Sequence, residues 1–525
     1  MFLEKNTKRE LIILIGISIY AFYVNWISGS IGILPIDSFG FLDTGHSILR
    51  GKLPIRDFWI FTGLIVDYME AFFLYVFGNN WKSHLIHSSS MNILGTLVLY
   101  FFLSSFDLQK KFKVFYCLSF ATLCYPVSGT PFAYIHSYIF SLLSLMLLIL
   151  AIKNKNKFIW FLLPFVCLLS FLSMQTPSVF ILIINFFVLS YYFYESGDYN
   201  NLRFFILGCV ISLFLFFLFL FITQTPLINF LYQYILFPLT IGEGRINNDI
   251  AAYVNFIDQI NFKRLIGDFK FIHIFLFPLI YFAIRYLRQK KRIINILNFT
   301  FILSTIAFLF NQLITANQIF IFSLIPIIAA ILHINMKELN FKPKVFFIII
   351  IIAMFATIKF HFRYNIDRKF HELENVDKSL ALDAKEIHQN LNNLKWITKY
   401  DNPINEINIL KQAIEVIKNE PREKTLITHY QFISTVLNEN LNILNRWYLW
   451  DNNTHPTENH KYFNIYKTLV NKNLKSNNVE VIFLLGQKNE IKFENVKNYF
   501  TDLCFKSKTL VQDRFSRHEI VNCKK

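Results

Sequence analysis

Residues 343–368, PKVFFIIIIIAMFATIKFHFRYNIDR, contain the point at which the chain changes character. An apolar run ends near residue 360, and a polar composition follows from His361 to the C-terminus. A membrane-spanning helix needs about 20 predominantly apolar residues to cross the hydrocarbon. The sequence therefore predicts a transmembrane domain over residues 1–360 and a soluble, outward-facing domain over residues 361–525.

The composition agrees with a protein that lies mostly in a membrane. Of 525 residues, 54% are hydrophobic, and Phe alone contributes 61. The first apolar stretch is long for a signal peptide and lacks a small-residue cleavage site, so we interpret it as a retained anchor. We predict a polytopic α-helical membrane protein with about 11 transmembrane helices. The predicted spans cover approximately residues 10–28, 84–104, 112–127, 133–152, 158–174, 177–194, 204–223, 271–288, 293–310, 317–335 and 344–360.

The basic loops predict the orientation of the chain. Lys and Arg collect in cytoplasmic loops, so we expect the net charge of +17 to reflect topology, with no nucleic-acid partner. A cytoplasmic N-terminus places all the basic loops inside and residues 224–270 outside. We expect an integral protein of the bacterial inner (cell) membrane with a periplasmic C-terminal domain. The basic stretches are EKNTKRE (4–10), QKKFK (109–113), KNKNK (153–157), RQKKR (288–292) and KELNFKPK (337–344).

This orientation holds only if residues 58–78, FWIFTGLIVDYMEAFFLYVFG, do not span the membrane. If they did, the next four basic loops would lie outside. The segment also carries Asp67 and Glu70 near its middle, where carboxylates are costly in lipid. We therefore predict a juxtamembrane amphipathic helix that lies along the outer surface.

The first outward loop, PIDSFGFLDTGHSILRGKLPIRD (35–57), concentrates charge beside the membrane. A carboxylate at this position can take a proton from a hydroxyl or amine acceptor. Nearby cations can hold an anionic lipid-linked donor and stabilise a phosphate leaving group. The acids are Asp37, Asp43 and Asp57, and the cationic or near-cationic side chains are His46, Arg50, Lys52 and Arg56.

The ordered residues of this loop resemble the first loop of GT-C fold glycosyltransferases that use polyprenyl-phosphate sugars, such as the dolichyl-phosphate-mannose and aminoarabinose transferases. The matching residues are Asp37, Gly51, Pro54, Arg56, Asp57, Phe58, Phe77 and Gly78. In layout the resemblance covers roughly residues 10–360, and its motif lies within 37–78. Many members carry an acidic pair where this chain has Asp37-Ser38, and a Pro near the position of Gly63-Leu64, which this chain lacks.

The resemblance implies an inverting transferase in which Asp37 is the general base. It implies that Asp57 orients the acceptor or a metal, and we interpret Asp43 as a substitute for the missing second acid. Some related enzymes use a divalent metal and others do not, so a metal cofactor stays open. Arg56 is the best phosphate contact in the loop, with Arg50 and Lys52 behind it and His46 completing the predicted site.

Structural alternatives exist for the same residues. Asp37 would suit the N-cap of a helix starting near Ser38. Arg56 and Asp57 would suit a local ion pair of little energetic weight. Asp43 and His46 would suit the solvated face of a helix, and Lys52 would suit contact with lipid headgroups.

A second outward surface lies within residues 224–270. There GEGRINND (242–249) predicts a flexible, charged turn from which Glu243 and Arg245 would reach a substrate, and an ordinary solvated loop is the alternative.

The sequence thus favours a transferase of the cell envelope that moves a sugar from a polyprenyl-phosphate donor to a lipid, glycan or protein acceptor. The alternative is a lipid-linked glycan flippase or transporter without transfer chemistry. Transporters usually place ionisable groups near mid-membrane, whereas here the acids collect at the outer boundary.

The final 165 residues predict a small α/β domain. Helical patterns at INEINILKQAIEVIKN and YFNIYKTLVNKNLK alternate with strand-like TLITHY and VEVIFLLG, and KSKTLVQDRFSRHEIVNC predicts a hairpin. The aromatic stretch 445–463 is expected to pack on the membrane domain or touch substrate. Cys504 and Cys523 would pair only in an oxidising compartment, and the sequence leaves that open.

Overall fold

The computed structural model describes residues 6–124, 129–247, 261–289, 292–315, 321–368, 373–488, 490–500 and 503–523. The helices of the membrane domain, in chain order, are α1 (Asn6–Gly29), α2 (Pro35–Ser38), α3 (Gly40–Leu49), α4 (Leu64–Phe77), α5 (Trp81–Ser104), α6 (Lys110–Cys124), α7 (Ala133–Asn154), α8 (Lys157–Ser173), α9 (Gln175–Ser196), α10 (Tyr199–Ile222), α11 (Leu227–Phe230), α12 (Phe237–Asn247), α13 (Phe262–Gly267), α14 (Lys270–Gln289), α15 (Arg292–Ile314), α16 (Leu324–Glu338) and α17 (Pro343–His361).

Within the described residues, eight of these helices are long and apolar enough to cross a membrane. They are α1, α5, α7, α9, α10, α14, α15 and α17, the last continuing through a wider turn to Ile366. The predicted number of about 11 spans is therefore not confirmed. Three of the predicted spans correspond to the shorter helices α6, α8 and α16, of 15, 17 and 15 residues. Fifteen residues cover only about 22 Å, against roughly 30 Å of hydrocarbon.

Helix α4 is not among the candidate spans, as its two carboxylates led us to expect. It is 14 residues long and packs against α3 and α5. Asp67 and Glu70 are both fully buried on its protein-facing side, while Phe72 and Tyr75 are exposed on the opposite side. Helix α4 therefore buries its two acids against the protein and exposes its apolar side chains on the other side.

The C-terminal domain contains a two-stranded and a four-stranded sheet. Strands β1 (Leu382–Asp383) and β2 (Lys395–Trp396) form the first, and β3 (Lys424–Thr428), β4 (Val481–Leu485), β5 (Cys504–Val511) and β6 (Phe515–Val521) form the second. The order is β3-β4-β6-β5, with β3 and β4 parallel and the other pairs antiparallel. Its helices are α18 (Pro403–Lys418), α19 (Phe432–Leu437), α20 (Phe463–Ser476) and α21 (Phe493–Val496).

The predicted helices, strands and hairpin of this domain are all confirmed, because each apolar pattern fills one side of a common core. Val481, Phe483 and Leu485 on β4 are buried on one face, together with Leu410 of α18. Cys504 forms a disulfide with Cys523 across the hairpin, which resolves the pairing that the sequence left open.

The two domains share a hydrophobic core at their junction. Phe39 of the first outward loop packs against Trp396 and Phe432 of the C-terminal domain, with ring centroids 6.0 Å and 4.9 Å apart. Trp447 contacts Phe41, which confirms that the aromatic stretch 445–463 packs on the membrane domain. The C-terminal domain is therefore seated directly on the loop that the sequence marked as functional.

Candidate functional site

Helix α3 divides the charged loop into two separate places. Its ten residues, Gly40–Leu49, extend about 15 Å at 1.5 Å per residue. Asp37 lies in the short helix before it, and Arg50 and Lys52 follow its other end. The residues predicted to form one site are therefore distributed along α3 and beyond both of its ends.

Asp37 lies at the first of these places and does not cap a helix. Helix α2 begins after Leu34 and α3 begins after Phe39, and neither has a side-chain cap, so the capping alternative is wrong. The N–H groups of Gly32 and Ile33 donate to the carbonyls of residues 395 and 397, at 2.9 Å and 3.1 Å. Asp37 follows this pairing by four residues, is half-buried and lies within electrostatic range of Tyr400.

The electrostatics of Tyr400 agree with that position. Burial raises the pKa of Tyr400 to about 12, and the negative charges of Glu490 and Asp37 add to the effect. Asp37 therefore lies where the first outward loop meets the C-terminal domain.

The middle of α3 is covered by the C-terminal domain. Asp43 is buried and accepts a hydrogen bond from the Ser434 hydroxyl. Burial raises the pKa of Asp43 to about 7, while that hydrogen bond opposes the rise. His46 is also fully buried, so the alternative of a solvated helix face is wrong for both residues. The same surface therefore binds α19 of the C-terminal domain.

His46 and Arg50 both meet the residue that follows α19. His46 Nε2 lies 3.5 Å from Asn438 Oδ1, and Arg50 donates to the Asn438 carbonyl. Burial lowers the pKa of His46 to about 4. The His46 imidazole is therefore neutral and covered by the C-terminal domain. Arg50 uses one of its N–H donors for the hydrogen bond to Asn438.

Beyond α3, Arg56 and Asp57 form the second polar place. They form an ion pair at 2.7 Å, with 28% and 25% of their side chains exposed. Asp57 also accepts from the Leu53 N–H at 2.8 Å, and Arg56 donates to the Thr223 carbonyl at 3.1 Å. Lys52 donates to the Asn477 side chain. The predicted local ion pair is therefore present, and Arg56 remains partly exposed.

Two adjoining apolar cavities lie between α8 and α10. One, of about 240 Å³, is bounded by α4, and the other, of about 480 Å³, is bounded by α9. They share Leu168 and Ser212. Their lining on α10 extends from Leu202 to Phe219, roughly 26 Å at 1.5 Å per residue. We call this surface the α8–α10 groove.

Arg56 lies at one end of the α8–α10 groove. The carbonyl that it contacts belongs to Thr223, which ends α10. Tyr68, within electrostatic range of Arg56, lines the smaller cavity. A guanidinium and a long apolar channel are therefore adjacent.

Sequence reasoning missed a buried ion pair between the domains. Arg446 and Asp67 are each at most 1% exposed and bind one another, and Arg446 also donates to the Thr62 carbonyl at 2.5 Å. The guanidinium lies 4.3 Å from the ring centre of Phe41. Burial raises the pKa of Asp67 to about 6, against the effect of Arg446, so the carboxylate is ionised at neutral pH.

A glycine makes room for this pair. Gly63 has φ +75°, and a Cβ there would lie 2.8 Å from an Arg446 guanidinium nitrogen. Any other residue would be strained in its backbone and would collide with the ion pair. The sequence signal available for the pair was Asp67 itself, a carboxylate in an apolar run.

A second missed feature is a cluster of one acid and three histidines. Glu70 Oε1 and Oε2 lie 2.8 Å from His84 Nδ1 and 2.7 Å from His87 Nδ1. His87 Nε2 lies 3.1 Å from His136 Nε2. Burial alone would raise the pKa of Glu70, but the two histidines outweigh it and lower the pKa to about 2. The i, i+3 spacing of the histidines at 84 and 87 was the available signal.

Hydrogen bonds also connect this cluster to the backbone. His84 Nε2 lies 3.0 Å from the Ser38 carbonyl oxygen, and His136 Nδ1 lies 2.8 Å from the Phe132 carbonyl oxygen. Through Ser38 the cluster fixes the residue next to Asp37.

The other predicted site residues lie elsewhere. Glu243 and Arg245 lie within the helix Phe237–Asn247, so the expectation of a flexible turn is wrong for residues 242–247, and positions 248 and 249 lie outside the described residues. Two glycines did not stop the helix because propensity is a weak constraint beside packing. Throughout the described ranges, no group of three or more His, Cys, Asp or Glu side chains is placed to hold a metal ion.

Comparison with protein-family models and with the curated proteins finds no match for the chain. The fold therefore defines the class by itself: a mostly helical integral membrane protein with a small C-terminal sheet domain.

Proposed function

We propose that the protein is an inverting glycosyltransferase that takes a sugar from a polyprenyl phosphate and transfers it outside the membrane. The observation that carries the proposal is the adjacency of Arg56 and the α8–α10 groove. In an anionic lipid, a negatively charged headgroup is likewise attached directly to a long hydrocarbon chain. Arg56 would bind the phosphate, and the groove would bind the prenyl chain.

The length of the groove supports a polyprenyl chain over an ordinary phospholipid. A phospholipid acyl chain fills one leaflet, about half of the roughly 30 Å hydrocarbon thickness. The lining on α10 covers roughly 26 Å. A longer isoprenoid chain would make full use of it.

The proposed chemistry needs a base for the acceptor and a cation for the leaving group. Asp37, half-buried at the domain junction, would accept the proton of the acceptor hydroxyl as oxygen attacks the anomeric carbon. The bond from that carbon to the phosphate breaks, and Arg56 would stabilise the charge that develops on the phosphate oxygen. Asp57 would hold Arg56 in place through its ion pair.

Transfer from synthetic polyprenyl-phosphate sugars by the purified full-length protein in nanodiscs tests this proposal. Asp37→Asn and Arg56→Ala are expected to lower turnover at least tenfold, and Asp107→Asn, exposed at a distant loop, serves as the matched control. Undiminished transfer in Asp37→Asn and Arg56→Ala would overturn the assignment. Movement of the donor between leaflets without transfer would replace it with the flippase alternative.

A further inference from the structure

A polar cleft opens in the C-terminal domain, and Tyr400, which lies within electrostatic range of Asp37, is one of its lining residues. Its volume is about 500 Å³, within the usual range of small-molecule sites. It lies at the carboxyl end of β4, where α/β sheets with parallel strands commonly bind ligands. The first turns of α18 and the turn between β5 and β6 form its other walls. Its lining consists of Tyr400, Asp401, Asn405, Asn408, Gln487 and Arg514, with four further residues.

Four side-chain amides in this cleft have hydrogen-bonding capacity to spare. Asn405, Asn408, Gln487 and Gln512 line it, and in the described part of the chain their amide groups form no hydrogen bond. Gln487 is only 7% exposed. Its amide atoms remain accessible from the cleft and can hydrogen-bond a ligand or water there.

The charges of the cleft are almost balanced. Arg514 and Asp401 bind each other at 2.5 Å, and Arg514 also donates to the Gly486 carbonyl at 3.2 Å. Lys488 is exposed at the margin and forms no ion pair within the described ranges. The cleft therefore suits a ligand that is neutral or carries one acidic group.

The chemistry of the lining favours a carbohydrate over a peptide. Each amide both donates and accepts, as a sugar hydroxyl does. Tyr400 is 44% exposed and offers a ring face to the C–H side of a sugar. A peptide would use a free strand edge or apolar anchor pockets, whereas only Ile409 and Val511 supply aliphatic surface here.

We infer that this cleft binds the carbohydrate acceptor and presents it to Asp37. The catalytic role of Asp37 in this inference rests on the proposed function. Residues 32 and 33 pair with residues 395 and 397, and Asp37 lies within electrostatic range of Tyr400, which lines the cleft. The acceptor is thus a glycan, and the C-terminal domain is a part of the transferase site.

Binding of the full-length protein in detergent to an array of neutral and acidic oligosaccharides tests the inference. Wild type is expected to bind at least one of these glycans. Gln487→Ala and Tyr400→Ala are expected to weaken that binding at least tenfold, and Asn408→Ala severalfold. Asn464→Ala, an exposed helical Asn of the same domain outside the cleft, is the matched control.

Two outcomes would overturn the inference: no oligosaccharide bound by wild type, or undiminished binding in both Gln487→Ala and Tyr400→Ala. Selective binding of peptides would also overturn it. Thermal unfolding of each variant separates loss of the site from loss of the fold.

The array also separates this inference from the proposed function. Glycan binding that depends on Gln487, in a protein without transfer activity, supports the cleft and contradicts the transferase. Transfer with an unchanged acceptor KM in Tyr400→Ala supports the transferase and contradicts the cleft.

Discussion

The two ends of α3 carry similar charged side chains in different surroundings. Before α3, Asp37 lies within electrostatic range of Tyr400, which lines the polar cleft of the C-terminal domain. After α3, Arg56 lies at the end of an apolar groove between membrane helices. In the proposed function, the first end would meet a hydrophilic acceptor and the second a lipid-linked donor. The difference teaches that one charge-rich loop can present chemically different surfaces at its two ends.

Between these ends, α3 is a docking surface. Asp43, His46 and Arg50 all contact residues 434–438. If this contact holds the two ends of α3 in their relative positions, variants that weaken it should lower stability and impair the functions proposed for both Asp37 and Arg56. A variant at one end should impair only the function proposed for that end.

The largest effect is expected from Arg446→Met. The change leaves Asp67 as a buried charge without its counter-ion, which typically costs about 3–5 kcal/mol. We expect a marked loss of thermal stability and faster proteolysis within the C-terminal domain. The measurement is thermal unfolding together with limited proteolysis of the protein in detergent.

Arg422→Met provides the matched control for Arg446. Its side chain is 33% exposed, and its ion pair with Glu420 has the modest worth of a surface contact. Equal destabilisation by the two changes would show that the buried pair does not hold the domains together.

The next largest effect is expected from Glu70→Ala. It removes the acceptor shared by His84 and His87, and a buried polar group left without a partner costs about 1–3 kcal/mol. Glu70→Gln keeps one acceptor and one donor in place, so it should recover much of the stability. Thermal unfolding measures both variants, and a Gln variant as unstable as Ala would contradict the hydrogen-bond account.

A smaller and more local effect is expected from Arg56→Ala. Because this side chain is 28% exposed, stability should change little. The KM for a polyprenyl-phosphate donor should rise roughly tenfold or more, since a charge-assisted hydrogen bond contributes about 1.5–3 kcal/mol. Arg203→Ala, exposed on α10 outside the groove, is the control. An unchanged KM for the donor in Arg56→Ala would contradict the proposal that Arg56 binds the donor phosphate.

Local patterns predicted much of this architecture because each depends on neighbouring residues. The end of the apolar run near residue 360 predicted the domain change, and the two acids of α4 predicted that it does not span. Within the described residues, α4 is indeed not among the candidate spans. The predicted number of spans is not confirmed, because apolar runs do not reveal where a helix ends. The uses of Asp43 and Asp67 were missed, since their partners, Ser434 and Arg446, lie almost 400 positions away in the sequence.

The smallest effect is that of Asp43→Asn, and it is expected to depend on pH. Burial raises the pKa of Asp43 to about 7, from an ordinary value near 4. Between these values the unfolded carboxyl loses its proton while the buried one keeps it. The wild-type protein therefore loses stability as the pH rises from about 4 to about 7.

An Asn at position 43 has no such proton, so the unfolding temperature of the variant relative to wild type should increase over the same interval, by roughly 2–4 °C for each kcal/mol. His46 titrates in the opposite sense, because burial lowers its pKa to about 4, but it is present in both proteins and cancels in the difference. Asn464→Ala removes no titratable group and should give a flat difference. A flat difference for Asp43→Asn as well would mean that its carboxyl is solvated, and that α3 is not covered by the C-terminal domain at this point.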